Sequence, residues 1–487
     1  MTAPHAQPEG ATHAWSTVAR GGLPKRPATA RVADFLEIYG LCDEAEARAQ
    51  ASRCIQCPEP LCVAGCPLHA HIPEWLALTA EGHFPEAAAL LQSTSTLSEA
   101  CTKVCPADHL CEATCIINGR AQPVSVWAVE QFLNDYAFSH DLVPRERPPP
   151  NGWRIAVIGA GPGGLACADE LSRRGCAVTV FDWRPLPGGL LVYGTPAFRL
   201  ERSVVQRRID VLKNRGVEFR LGVKIGRDPS REQLLAGFDC VYLGFGARQP
   251  RTLAVPGATL PGVHQALPFI VQPNLDLPAD TPPIDVAGRR VAVLGGGDTA
   301  IDCLRTAIRC GAREVTGIYR RDEASLPSSR REFENAVEEG VRFVFQSSPI
   351  AILGDHRGGV TGLRLIRTVP AGVGADERRQ FTAQPGTEYD FPAERIFLAL
   401  GFDPDPHPAA NPFPELRASA TGALVVDASQ MTSTPGIFAG GDLVRGPSTA
   451  LHAVRDARKA AAGIFEFLGQ RRSGPDPSTR VGVPPSG

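Results

Sequence analysis

Two stretches far apart in the chain, Trp153–Gly164 (WRIAVIGAGPGG) and Arg289–Ala300 (RRVAVLGGGDTA), repeat one pattern: an apolar strand, a glycine-rich turn and a helix. In the first, a strand over Ile155–Ile158 is predicted to run into Gly159, Gly161 and Gly164, with a helix following through Leu171. Gly159 permits the tight turn, Gly161 lets backbone approach a pyrophosphate, and Gly164 allows close helix–strand packing. The helix N-terminus offers N–H groups and the positive end of its dipole to phosphates. The next strand, Ala177–Phe181, ends in Asp182, where an acid bonds a ribose hydroxyl.

The second copy places Gly295, Gly297 and Ala300 at the three key positions, with Asp298 and Thr299 between them. Its following strand, Glu314–Tyr319, ends in Arg320 and Arg321 rather than an acid, and Arg330 and Arg331 come soon after. Cationic forks suit a 2′-phosphate and an acid would repel it, so this site is expected to favour NADPH; the alternative is that the arginines form a solvated face. Near the C-terminus, Thr434–Asp442 (TPGIFAGGD) ends a third strand in Gly440, Gly441 and Asp442, with Thr449 at the start of the helix beyond. Two further strand–glycine segments, Val241–Ala247 and Ile396–Phe402, are placed where a chain crosses between two nucleotide domains.

The fold class expected is therefore α/β: a helical N-terminal domain followed by two Rossmann-like domains, the NADPH domain inserted in the FAD domain. The expected boundaries are a flexible arm over 1–30, a helical domain with a proline-rich linker over 31–150, and a first FAD-domain segment over 151–286. The NADPH domain then takes 287–402, a second FAD-domain segment takes 403–470, and a disordered tail takes 471–487.

Of 14 cysteines, eight fall between Cys54 and Cys115, in two runs. The first is Cys54-x2-Cys57-x4-Cys62-x3-Cys66-Pro and the second Cys101-x3-Cys105-Pro-x5-Cys111-x3-Cys115. Short spacing lets several thiolates converge, and soft thiolates select iron–sulfur clusters or zinc. Two four-cysteine runs fit two [4Fe–4S] clusters, with two structural zinc sites as the alternative. A secreted disulfide scaffold is disfavoured, because such scaffolds are short and lack a cytosolic cofactor fold. The N-terminus lacks the regions of a signal peptide, and no apolar run approaches the roughly 20 residues of a membrane span. With 43% apolar residues and a net charge of −2, nothing favours nucleic acid or an anionic membrane, and a cytoplasmic protein is expected.

Together these segments make the chain resemble the small (β) subunits of bacterial glutamate synthase. The same module occurs in related NADPH-dependent electron-input proteins and in dihydropyrimidine dehydrogenase. The resemblance spans about residues 30 to 470 and is carried by RCIQCPEPLCVAGCPLH, PGGLLVYGTPAFRLER, VAVLGGGDTAIDCLRTAIRCGA, YRRDEASLPSSRRE and GIFAGGDLVRG. It implies one cluster on Cys54, Cys57, Cys62 and Cys115, and a second on Cys66, Cys105, Cys111 and Glu130. Counting alone would use Cys101 as the eighth ligand; the resemblance makes it a buried thiol. It also implies that Pro187, Gly188, Gly189, Leu190, Tyr193 and Gly194 lie against the flavin, and that Asp442 contacts its ribityl chain. Departures are modest: Trp127 and Ala128 replace smaller residues ahead of Glu130, and GGD stands where AGD is common.

No acid–base pair or nucleophile stands out, and hydride transfer needs none, since it is the cofactors' own chemistry. The resemblance implies oxidation of NADPH, hydride transfer to FAD and electron transfer through the clusters to a large (α) subunit. That partner would make glutamate from glutamine and 2-oxoglutarate. Two alternatives remain: the same module feeding another acceptor, such as a ferredoxin-linked transhydrogenase or other reductase, or a flavin-only reductase with a zinc-braced docking domain.

Overall fold

The computed structural model describes residues 14–275, 282–374, 379–405 and 413–473. Apolar, β-branched runs build two parallel sheets of five strands each. In the first, the strands run in the spatial order Ile437–Ala439, Cys240–Leu243, Arg154–Ile158, Ala177–Asp182 and Glu218–Leu221. Burial on both faces explains the near-continuous hydrophobicity of the central strands. The second sheet repeats the plan with Val263–Gln265, Arg395–Leu398, Arg290–Leu294, Glu314–Ile318 and Arg342–Val344. Four helices matter below: α1 (Pro162–Ser172), α2 (Asp298–Arg309), α3 (Arg330–Glu338) and α4 (Ala450–Ser473).

The chain leaves the first sheet after Leu243 and returns after Leu398. There Gln249–Pro250 and Phe402–Asp403 pair as a two-stranded antiparallel bridge. The nucleotide-type domain between them is thus an insertion. Its start differs from the expected 287: Val263–Gln265 pairs with Arg395–Leu398, and Ala266, Phe269 and Ile270 pack into the second domain's core. A three-residue edge strand carries too little periodicity to be assigned from sequence.

The N-terminal domain is helical, as expected, with helices at Glu44–Ala51, Leu61–Gly65, Ile72–Glu81, Phe84–Thr94, Ser98–Val104 and Val126–Ser139. Ile72–Glu81 and Phe84–Thr94 are separated at Gly82, whose φ of 90° closes the first of the two helices in a conformation that no side-chain-bearing residue adopts easily. Two expectations change. The arm 1–30 lies outside the described residues over 1–13, but 14–30 is held. Arg31 is buried with Glu339, and Lys25 reaches Glu338 at 2.7 Å. The proline-rich 145–152 does not act as a free linker either. At its start Arg215 donates to the Pro144 carbonyl at 2.7 Å, and Asn151 N–H donates to Gly175 at 3.0 Å. One continuous hydrophobic core runs from Trp75, Leu91 and Leu133 through Ile155 and Leu165 to Val454 and Ile464. The expected tail, 471–487, lies outside the described residues from 474, and α4 runs to Ser473. Among the described residues no helix is long and apolar enough to cross a membrane.

Candidate functional site

The first glycine loop is built as its residue types demand. Gly159 adopts φ 106°, and a Cβ there would stand 2.6 Å from the Gly244 carbonyl, at the strand crossover. A Cβ on Gly164 would lie 1.8 Å from the Gly159 carbonyl, so α1 packs against the loop as only glycine allows. Gly161 caps α1 from an extended conformation. Its neighbour in space is Gly189, whose own Cβ would come within 2.6 Å of Gly161 Cα. Gly188 N–H donates to the Ala160 carbonyl at 2.7 Å. The segment 187–194 therefore rests directly on the dinucleotide loop, a turn of helix at Leu190–Tyr193 follows, and Tyr193 Oη accepts from Leu186 N–H at 2.9 Å. Arg184 lies 4.1 Å over the Tyr193 ring, while Leu190 stays exposed.

Asp182 accepts from Ala160 N–H at 2.7 Å and from Arg184 N–H at 2.8 Å, so it braces the glycine loop from the strand end where an acid would meet a ribose. The late motif closes the same site. Gly441 takes φ 70° and donates to Asp456 at 3.2 Å, and Asp456 is itself clamped by Arg445. Asp442 accepts from Ser448 N–H and Oγ at 3.1 and 3.0 Å. Burial pushes its carboxyl up to about 6 against these hydrogen bonds. Thr449 precedes α4 and meets His452 Nδ1 at 2.8 Å. The loop glycines, the Gly188–Gly189 turn and the N-terminus of α4 thus form a lined cradle that fits a flavin dinucleotide.

The second loop mirrors the first. Gly295 has φ 144°, and a Cβ there would stand 2.4 Å from the Ala399 carbonyl, the counterpart of Gly244. Ala300, in the third glycine position, is fully buried in the second core. Nothing lies within 4 Å of a Cβ placed on Gly297, which leaves the phosphate side of α2 open. Asp298 opens α2 with Thr299 behind it, and Asp298 Oδ1 accepts from Ser329 N–H at 3.4 Å. Arg320 is exposed and Arg321 half-buried at the end of Glu314–Ile318, where a 2′-phosphate would lie. The other two arginines are committed elsewhere. Arg330 pairs with Glu323 at 2.6 Å and Glu334 at 3.0 Å. Arg331 lies 3.7 Å over the Trp127 ring and donates to the Cys105 carbonyl at 3.2 Å.

The cysteines gather as two sets. Cys54, Cys57 and Cys62 each feel the charge of Cys115, although it lies more than fifty residues later in the chain. Burial pushes the Cys54 thiol up to about 12 and the Cys62 thiol up to about 11, so only a bound cation would hold them as thiolates. Cys66, Cys105, Cys111 and Glu130 line one internal cavity together with Cys101, Trp75 and Leu451. Burial there pushes the Glu130 carboxyl up to about 7, outweighing a hydrogen bond with Thr102. Both candidates for the eighth ligand, Cys101 and Glu130, thus face the same cavity. Among the described residues no three such side chains converge tightly enough to hold a single metal ion. Thiolates on the corners of a four-iron cage stand farther apart than around one zinc.

Trp127 donates through Nε1 to the Thr102 carbonyl at 2.9 Å, and its backbone N–H donates to Glu112 at 2.9 Å. The ring substituted ahead of Glu130 therefore bridges the Thr102 carbonyl and the Arg331 guanidinium. Sequence reasoning gave no role to Trp127, Arg331 or Leu451 in joining domains. No local motif marks them, since their partners lie in other domains.

Residues 31–142 match the family model described as dihydropyrimidine dehydrogenase domain II, 4Fe-4S cluster. Residues 153–457 match the pyridine nucleotide-disulphide oxidoreductase model. Over 456 residues the chain is 42% identical to the NADPH glutamate synthase small chain of Escherichia coli (strain K12), covering 91% of this chain and 96% of that one. AegA of the same organism, named only as an oxidoreductase, is 39% identical over 465 residues, with 93% of this chain and 70% of AegA covered. Among solved structures, Mycobacterium tuberculosis FprA in complex with NADPH aligns with a TM-score of 0.56 at 20% identity, covering 67% of this chain and 86% of FprA, which speaks to the fold. The chain belongs to the pyridine nucleotide-disulphide oxidoreductases and, within them, to the NADPH glutamate synthase small-chain family: an NADPH-dependent oxidoreductase with an N-terminal domain of the 4Fe-4S type.

Proposed function

We propose that the chain is the electron-input subunit of a glutamate synthase, binding one FAD, NADPH and two [4Fe–4S] clusters. Bound there, FAD would supply acceptance of hydride from NADPH and release of single electrons toward the clusters. The residues supply binding and alignment. Gly159, Gly161, Gly164 and Asp182 shape the FAD dinucleotide loop, Gly189, Leu190 and Tyr193 form the wall beside it, and Gly441, Asp442 and Thr449 close it. Gly295, Gly297, Asp298, Thr299 and Ala300 present α2 to NADPH. Arg320 and Arg321 are the cations proposed for its 2′-phosphate, as neither side chain has a partner among the described residues.

The observation that carries the reading is the joint placement of the cysteines and the flavin cradle. The cavity lined by Cys66, Cys105, Cys111 and Glu130 touches Leu451, in the first turn of α4, the helix that closes the cradle. The set Cys54, Cys57, Cys62 and Cys115 is only partly buried and lies within reach of a partner. An acceptor other than a glutamate synthase large subunit is the second reading, favoured by the 39% identity to AegA. Co-purification with a large subunit, followed by an assay for glutamate from glutamine, 2-oxoglutarate and NADPH, tests the first. Glutamate formed only when both chains are present supports it. No association, with NADPH-dependent reduction of a ferredoxin instead, supports the second.

A further inference from the structure

The segment TPAFRLER, next to the flavin wall, has no cofactor role in the reading above. With the wall that precedes it, it forms a strut. In the wall, Gly188 and Gly189 press on the first glycine loop. Within TPAFRLER, Phe198 and Arg199 enter the second nucleotide domain. Phe198 is fully buried, with the guanidinium groups of Arg305 and Arg309 at 4.4 and 4.0 Å from its ring centre. Arg199 is also buried; its Nη1 reaches both oxygens of Asp302 at 3.1 and 3.3 Å, and its Nη2 stands 3.4 Å from Asp298. Asp298, Asp302, Arg305 and Arg309 fall at i, i+4, i+7 and i+11, one stripe along α2.

The two residues thus grip the whole length of the helix whose N-terminus is offered to the NADPH phosphates, while the same peptide leans on the flavin loop. The geometry points to Arg199 as a positioning residue that fixes α2, and with it the nicotinamide, relative to the flavin ring; this rests on the FAD and NADPH reading above. The guanidinium suits the task because its planar fork can meet carboxylates on two successive turns, which a lysine ammonium meets only as a point charge. Arg199 meets none of the loop glycines and reaches the second motif only through the Asp298 carboxylate at 3.4 Å, so its effect is expected to fall on alignment more than on nucleotide affinity.

Two variants separate alignment from folding. Arg199→Met with Asp302→Leu removes both buried charges together, a change that buried pairs often tolerate, and Arg199→Lys keeps the charge. With the flavin still bound, the double variant is expected to bind NADP+ within about threefold of the unaltered protein. Stopped-flow flavin reduction at saturating NADPH is expected to slow roughly 10- to 100-fold, the scale of a misplacement near 1 Å. The long-wavelength charge-transfer absorbance of NADP+ over reduced flavin is expected to fade. Amide exchange in 195–200 and 299–309 is expected to quicken together, and Arg199→Lys, which keeps the charge without the fork, to recover only part of the rate. Unchanged flavin reduction and charge-transfer absorbance would overturn the proposal. So would weakened NADP+ binding with an unchanged rate, which would make Arg199 a nucleotide ligand. Failure of NADPH to bleach the unaltered protein would instead sink the underlying cofactor reading.

Discussion

Gly164 shows how tightly a single residue type is bound to function here. A methyl group at that position would sit 1.8 Å from a backbone carbonyl that has nowhere to move without opening the glycine loop. Gly164→Ala is expected to cost about 1–3 kcal/mol or more through overpacking and to release flavin on dialysis. The check is the absorbance of bound FAD together with the melting temperature. Arg320 and Arg321 make the opposite case, since nothing in the fold needs them. Changing both to Ala is expected to leave stability within about 0.5 kcal/mol and to raise the NADPH KM roughly 10- to 100-fold. The NADH KM is expected to stay nearly unchanged. Equal effects on the two nucleotides would assign these arginines elsewhere. The glycines were legible because their conformational demand is local. Arg330 and Arg331 resemble further phosphate ligands in sequence but are committed elsewhere, because a cation's partner cannot be read from its neighbours in the chain. One pairs with Glu323 and Glu334, and the other packs on Trp127.

At the scale of elements, the N-terminal strap and the edge strand Val263–Gln265 were not legible, for a shared reason. Short segments of mixed composition owe their structure to tertiary partners. The strap reads as a proline- and alanine-rich arm, yet Arg31 donates to Glu339 at 2.8 Å and to Glu338 at 2.8 Å, and Tyr39 hydrogen-bonds Asn335. Burial alone would push the Glu339 carboxyl up, but hydrogen bonds from Arg305 and Arg309 outweigh it and hold it at about 2. Since Glu339 keeps those two partners, Arg31→Met is expected to destabilise by only about 1.5–3 kcal/mol, the value of hydrogen bonds to a charged group. The loss is expected to appear as faster amide exchange in α3 and in 24–40, with the first sheet unaffected. Exchange confined to the strap would show that it does not stiffen the inserted domain.

For the whole molecule, two nucleotide folds, the insertion and a cysteine-bearing helical domain were readable from the twin fingerprints and the cysteine spacing. Separability was not. The proline run suggested a linker, but the N-terminal and flavin domains share one core. Glu99 and Arg208 lock them with a buried two-point ion pair at 2.7 and 2.8 Å. Glu99→Gln leaves Arg208 buried without its counter-charge and is expected to cost about 3–5 kcal/mol. Chemical denaturation is expected to show flavin and cluster absorbance lost in one transition. Two separated transitions would mean that the shared core does not couple the domains.

The proposed route takes NADPH electrons through FAD to iron–sulfur clusters held by residues 54–130. An anaerobic NADPH titration of freshly purified protein, with iron, zinc and flavin measured on the same sample, tests it most directly. One FAD and roughly eight irons per chain, as two four-iron clusters, are expected. Bleaching of the flavin by NADPH and a reduced-cluster signal in electron paramagnetic resonance are expected as well. Stoichiometric zinc with no iron, and electrons that stop at the flavin, would contradict this route.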